Sequence, residues 1–457
     1  MRTALTPLAI LGFSLLAGAR PAPAAPRDDG DQYRFEVSSK TYAELFRRAL
    51  LPGPDGALVE TDTVVPVHEY LLLSVRDLDT PLREDSLDVE LAAWSRVSFA
   101  DVGFEGRADG DLQVANIAYR APNLSLRLGR QLATGGAARY SRFDGVSVAA
   151  ALGVLEAGAY GGFTVLPRFD GRPGYHQLGA AADSLLRDPN ALPEADRNGN
   201  WLGGGRIGFT SPRANAAVSF HEQHQDAGLE RRSLGVEGRA RALDSVTLGG
   251  NALLELDARR FQDARAFVDA TPIPALDLSL AYLHTEPALF LSRQSVLSVF
   301  STDAYDELGG SAAVHVTERL ALEADGSLQI YDESRLGARS EIGVRVLPGS
   351  GGRTVVRLAY ARVLAIENGY HSLRTALSRK LTPRLSSTLE AYAYLYDEPI
   401  RGRTSSEVYA GTLGYRISSE ASVLWGASLA QSPYAEIDAQ TLVRLELDFD
   451  LGARGGQ

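Results

Sequence analysis

Residues 440–451, Gln-Thr-Leu-Val-Arg-Leu-Glu-Leu-Asp-Phe-Asp-Leu, alternate between two faces without a break. Val443, Leu445, Leu447, Phe449 and Leu451 fall on one side, and Arg444, Glu446, Asp448 and Asp450 on the other. That is the period of a strand, and helical spacing would mix the two sets. The pattern recurs upstream. In 384–396, Leu385, Leu389, Ala391, Ala393 and Leu395 oppose Thr388, Glu390, Tyr392, Tyr394 and Tyr396. In 320–331, Leu320, Leu322, Ala324, Leu328 and Ile330 oppose Glu323, Asp325, Ser327 and Gln329. Around 234–242, Leu234, Val236, Ala240 and Ala242 oppose Glu237, Arg239 and Arg241.

The connections alternate as well. Tight turns such as 121–123, 211–213, 271–274, 382–383 and 418–420 trade places with longer polar segments at 134–143, 166–200, 287–304, 332–335, 364–369, 397–404 and 432–438. Antiparallel neighbours joined this way make an up-and-down meander, with short turns on one rim and long connections on the other. Strand centres fall near 36, 71, 92, 116, 128, 148, 160, 206, 219, 236, 250, 266, 280, 310, 325, 342, 358, 376, 390, 411, 426 and 445, which predicts 22 strands. A short helix over 43–51 would remove the first two and leave 20.

A barrel this wide cannot be filled by side chains, so its apolar face must look outward and its charged face must look into water. In hydrocarbon every backbone group must be paired, which requires closure. The expected fold is therefore an all-β transmembrane barrel, up-and-down and antiparallel, over 32–452. A blade-length repeat that would indicate a propeller is absent from the sequence. Tyr305, Tyr331, Tyr370, Tyr396 and Tyr434 sit beside long connections, where an interfacial girdle is expected.

Composition agrees. The chain has 457 residues, no cysteine and a net charge of −11, which excludes disulfide frameworks and thiolate chemistry and argues against nucleic acid as a partner. Arg2, the apolar run 4–17 and the small residues that follow predict a signal peptide over 1–24. A flexible lead-in over 25–31 and a C-terminal tail over 453–457 bracket the barrel.

Leu126-Arg127-Leu128-Gly129-Arg130-Gln131, followed by Arg142-Phe143-Asp144-Gly145-Val146, resembles the strand–loop–strand signature of bacterial outer-membrane porins. The likeness covers about 25 residues, and elsewhere the chain matches that class in pattern only. The terminal aromatic usual in porins is missing, since Phe449 is followed by eight further residues. Two readings of this segment stand open. Arg130, Arg139, Arg142 and Asp144 pair across one hairpin's outer end, or Arg127 and Gln131 contact solute from the lumen wall.

Other motifs point less far. His221-Glu222-Gln223-His224 cannot chelate one ion on a strand, because positions 221 and 224 point to opposite faces, and the two are expected as exposed residues at a loop end. Asp196–Asn200 lacks the distal glutamate of a calcium loop. Gly203-Gly204-Gly205 lacks a phosphate-loop context and suggests close packing against a loop or a neighbouring strand.

The expectation is an outer-membrane channel for diffusion of small polar solutes or ions, with no enzymatic activity, no metal and no cofactor. Its lining candidates are Arg127, Gln131, Glu237, Arg239, Arg241, Glu323, Asp325, Arg357, Glu390, Tyr392, Arg444 and Glu446. Loop 166–200, carrying Asp170, Arg172, Asp183, Arg187, Asp188 and Glu194, is the candidate constriction or lid. Outer-membrane lipid, the barrel-insertion machinery and small solutes are the expected partners, both termini are expected in the periplasm, and an oligomer is compatible with the pattern. The alternatives are an export or structural barrel of a surface-polysaccharide or secretion system, for which Tyr392 and Tyr394 offer sugar-stacking rings, and a barrel-embedded hydrolase.

Overall fold

The computed structural model describes residues 34–450, apart from 50–60, 80–84, 100–107, 166–199, 226–227, 288–303, 332–334, 350–352, 367 and 434. The expected signal peptide, lead-in and C-terminal tail lie outside these residues, as do Tyr434 and all six named residues of loop 166–200.

The strands are β1 (Arg34–Ala49), β2 (Thr61–Val64), β3 (Pro66–Asp79), β4 (Ser86–Ser98), β5 (Ala108–Ala121), β6 (Leu124–Gly135), β7 (Arg139–Leu152) and β8 (Leu155–Thr164). They continue as β9 (Trp201–Thr210), β10 (Ala214–Gln225), β11 (Gly228–Leu243), β12 (Val246–Glu255), β13 (Arg260–Ile273), β14 (Leu276–Thr285), β15 (Tyr305–Thr317) and β16 (Leu320–Tyr331). The last are β17 (Leu336–Val346), β18 (Thr354–Leu364), β19 (Tyr370–Lys380), β20 (Leu385–Ile400), β21 (Arg403–Arg416), β22 (Ala421–Ser432) and β23 (Ala435–Asp450). β2 and β3 both pair with β1 and form one stave interrupted at Val65, so the sheet is a barrel of 22 staves.

Every pairing is antiparallel to the next strand in sequence, and β1 pairs with β23 from Glu36↔Asp450 to Leu45↔Thr441. That seam leaves no free edge. Arg34–Asp450 at 2.6 Å and Lys40–Glu446 at 2.7 Å cross it.

All 22 expected strand centres fall inside strands. The 43–51 helix does not form: Ala43 to Ala49 continue β1, paired to β23, β3 and β2. Its extended register satisfies backbone groups that a lone helical turn would leave open on a barrel wall. The expected loop 397–404 is also mostly strand. β20 and β21 meet at Arg401-Gly402, both at positive φ (51° and 79°), a two-residue hairpin of the kind whose twist matches its strands.

Candidate functional site: a ribbon across the lumen

The β6–β7 hairpin leaves the wall. β5 pairs with β6 only as far as Ala115↔Arg130, and β7 pairs with β8 only as far as Phe143↔Thr164. Beyond those points β6 and β7 stay paired to each other up to Gly135↔Arg139, closed by a 3₁₀ turn, Gly136–Ala138. The result is a two-stranded ribbon with no wall partner on either side.

Its root is stitched to the wall by arginines. Arg130 donates to both carboxylate oxygens of Asp144 at 2.8 and 2.9 Å, and its third nitrogen donates to the Leu112 carbonyl at 3.1 Å. Arg142, 3% exposed, pairs with Asp111 at 2.6 Å. Buried carbonyls need donors, and here guanidinium groups supply one where the β5–β6 ladder has stopped. A bulge at Ala92/Ala93 in the β4–β5 pair lies close by.

The tip docks on β10 to β13, having passed over β8 and β9. The Ala137 N–H donates to Ser219 Oγ at 2.8 Å, and Ser233 Oγ donates to the Ala137 carbonyl at 3.2 Å. Arg231 donates to Ser141 Oγ at 3.1 Å and to the Ala138 carbonyl at 3.4 Å. Arg139 forms an ion pair with Asp263. Ala137 is 0% exposed. Two glycines make the contact close enough. A Cβ at Gly235 would stand 2.7 Å from Ala137 N, and one at Gly136 would stand 2.3 Å from Ser219 Oγ. Beneath the tip, His221 Nδ1 lies 2.9 Å from Tyr160 Oη, and its Nε2 is 3.2 Å from Arg231.

Contact between staves that are not neighbours, across the concave side of a closed sheet, can only run through the lumen. Ser219 and Ser233 therefore face inward. Residues opposite one another in antiparallel strands share a face, so the register carries this assignment around the whole wall. Arg127, Glu237, Arg239, Arg241, Glu323, Asp325, Arg357, Glu390, Tyr392, Arg444 and Glu446 all lie on the inner face. Leu389, Leu395 and Ile342, at 57%, 59% and 62% exposure, lie on the outer one. Gln131 differs from its neighbours in that set. It is 1% exposed at the ribbon root, donating to the Gly145 carbonyl at 3.0 Å and accepting from Ser147 Oγ at 2.6 Å.

Inner-face charges pair across strands. Arg357 donates to Glu323 at 2.8 Å, with Arg345 3.4 Å away on its other side. Arg206 reaches Glu237 at 2.7 Å, and Arg444 lies 3.6 Å from Glu446. The Arg374 guanidinium sits over the Tyr392 ring at 5.1 Å, and Tyr392 donates to Glu390 at 2.8 Å. Such half-exposed pairs contribute about 0.2–1 kcal/mol each, so they shape the field in the lumen more than they stabilise the wall.

Two expectations are corrected. Tyr305, Tyr331, Tyr370 and Tyr396 point into the barrel, because proximity to a loop does not set parity; Trp201, Tyr282 and Tyr360 are exposed outward beside long connections. His221 is not an exposed loop-end residue but 0% exposed under the ribbon tip, whereas His224 does lie on the outer face, stacked on Trp201 at 4.3 Å. Arg139 and Arg142 also reach beyond their own hairpin, to Asp263 and Asp111. Of the 203–205 glycines expected to pack closely, Gly204 does so most: a Cβ there would meet the Tyr160 hydroxyl and the Phe220 carbonyl oxygen, whereas one at Gly203 would make ordinary contact. Sequence reading missed Ser219, Arg231, Ser233 and Asp263 altogether. They lie some 80 to 130 residues from the turn they hold, and no local pattern links them. Among the described residues no three His, Asp or Glu side chains converge as a metal site.

No protein-family model and no curated protein matches the chain. Among solved structures, the translocation pore of the P pilus usher PapC superposes at a TM-score of 0.48 with 9% identity, covering 90% of this chain and 99% of that one. OccAB4 of Acinetobacter baumannii gives 0.44 and 8%, covering 93% and 99%. OccD3 (OpdP) of Pseudomonas aeruginosa gives 0.41 and 11%, covering 95% and 97%. The fold stands on the barrel's own closed register.

Proposed function

We propose that this chain is a passive channel of the bacterial outer membrane, admitting small polar solutes or ions by diffusion and performing no chemistry. The observation that supports it most is the pairing of an exposed apolar outer face with a charged inner face, around a lumen into which a ribbon folds. Water-filled barrels need this arrangement, and a sealed structural barrel has no use for a charged, unfilled interior. The start of β1 and the end of β23 lie on the short-turn rim, the periplasmic one in this reading, and the ribbon lies toward the outside. Because Arg357, Arg345 and Arg206 are interleaved with Glu323 and Glu237, ion preference is mild. Loop 166–200, in which Asp170, Asp183, Asp188 and Glu194 outnumber Arg172 and Arg187, is the candidate for a further restriction.

Single-channel conductance in planar bilayers, with reversal potentials under a salt gradient, tests this reading. Discrete steps of conductance with a weak preference are expected. A silent barrel that swells no liposomes would remove it. Deleting 172–196 should raise the conductance, and an unchanged value would leave the loop outside the passage.

A further inference from the structure

The inner face of β20 to β23 sets a row of tyrosines beside short side chains. It is a trough. Tyr392, Tyr394 and Tyr396 stand on one bank, on the inward-facing positions of β20. Tyr370 of β19 meets Tyr394 edge-on, with centroids 5.7 Å apart. The Tyr396 hydroxyl lies 2.7 Å from Ser406 Oγ and covers that residue, and the remaining inward positions of β21 and β22 carry Val408, Ala410, Ser428 and Ala430, none longer than valine. The far bank is β23, where Gln440 donates to Asp438 at 3.0 Å and Arg444 and Glu446 follow. Asp438 Oδ1 is buried without a hydrogen-bond partner, so this bank keeps an acceptor unspent.

The dimensions are those of an extended ligand. Alternate residues on a strand are about 6.8 Å apart, so the three tyrosines span about 14 Å, and the banks stand three strand spacings apart, also about 14 Å. The trough lies clear of the ribbon, which roots on β6–β7 and docks on β10 to β13. Beside the tyrosines, Arg374 stands 3.9 Å from Glu390 and Asp438 faces them from β23, whereas Arg444, Glu446 and Asp448 lie six or more residues farther along β23. With Arg374 beside Glu390, a single carboxylate is left there to draw an ionic solute. A neutral chain with apolar ring faces and hydroxyl edges would find both partners it needs, since aromatic faces pack against C–H surfaces and the planar carboxylate, amide and guanidinium groups bond hydroxyls.

The geometry points to a binding track for neutral linear oligosaccharides of pyranose rings on β20 to β23. It rests on the channel reading for its biological use, but binding is measurable without conduction. Purified barrel in detergent would be titrated calorimetrically with maltohexaose and with cellohexaose. Measurable heat with at least one of them is expected. Tyr392→Ala with Tyr394→Ala should weaken that binding by about tenfold or more, while the paired Phe replacements, which keep the ring faces, should stay within about threefold. Ala410→Trp, which fills the floor opposite Glu390, should abolish it, and resistance of each barrel to unfolding in SDS without heating checks the fold. Absence of heat with both sugars, or equal affinity in the double alanine and Ala410→Trp variants, overturns the proposal. Conductance without sugar binding sinks the track alone. Sugar binding in a barrel that never conducts sinks the channel reading and leaves the track standing.

Discussion

Replacing Gly235 by valine should unlatch the ribbon. A Cβ there would stand 2.6 Å from Ser219 Oγ, 2.7 Å from Ala137 N and 3.1 Å from Gly136 C, and two of these three are backbone atoms of the tip. They cannot rotate away, so the tip must lift. The latch comprises two hydroxyl–backbone hydrogen bonds and two arginine-mediated contacts. At about 1 kcal/mol for each of the first and about 2 for each of the second, it holds with at most about 6 kcal/mol. The tip of the natural chain is then free about once in 10⁴. Overpacking costs about 1–3 kcal/mol, and losing the two hydroxyl bonds adds about 2, so about 1–3 kcal/mol of latch remains. The free fraction rises to roughly 1–20%. The chain has no cysteine, so an Ala137→Cys substitution gives a single reporter at a residue that is 0% exposed. Labelling by a water-soluble maleimide should be slow in that background and about 10²–10³-fold faster when Gly235→Val is added. Brief openings to a higher conductance should accompany it. Equal labelling rates in the two backgrounds would refute the latch, whatever the conductance.

Other consequences are checked more simply. Leu389→Arg, on the outer face, should cost about 2–4 kcal/mol in reversible unfolding from bilayers, against less than about 1 for Glu390→Gln on the inner face; equal costs would reverse the facing assignment. Arg142→Ala leaves the Asp111 carboxylate, 2.6 Å from it and 9% exposed, without that guanidinium, and should destabilise by about 3–5 kcal/mol, visible as loss of the SDS-resistant form at lower temperature. Gly402→Val, at φ 79°, should cost about 1–2 kcal/mol by forcing a β-branched residue into the left-handed region, whereas Arg401→Asn at φ 51° should be neutral or slightly stabilising; comparable effects of the two would argue against the hairpin geometry.

What could be read ahead of the structure follows from the range of the forces involved. Alternation at 440–451 or 320–331 is fixed by which face meets water, a property each strand carries by itself, so strand number and inner-face membership of Glu323, Glu390 and Arg444 were legible. Tyr305 and Tyr331 were misplaced because nearness to a connection sets height on the wall, while parity sets side. The ribbon was legible only at its root. Arg130 and Asp144 are 14 residues apart and form the pair the motif suggested, but Arg139–Asp263 and Ser233–Ala137 join segments roughly a hundred residues apart. Nothing periodic marks them. Gly136 and Gly235 become informative only together, because each is an ordinary glycine until the other's backbone is placed against it. A barrel wall is specified stave by stave, so its sequence repeats its own instruction 22 times. A segment that leaves the wall is specified by single contacts made once.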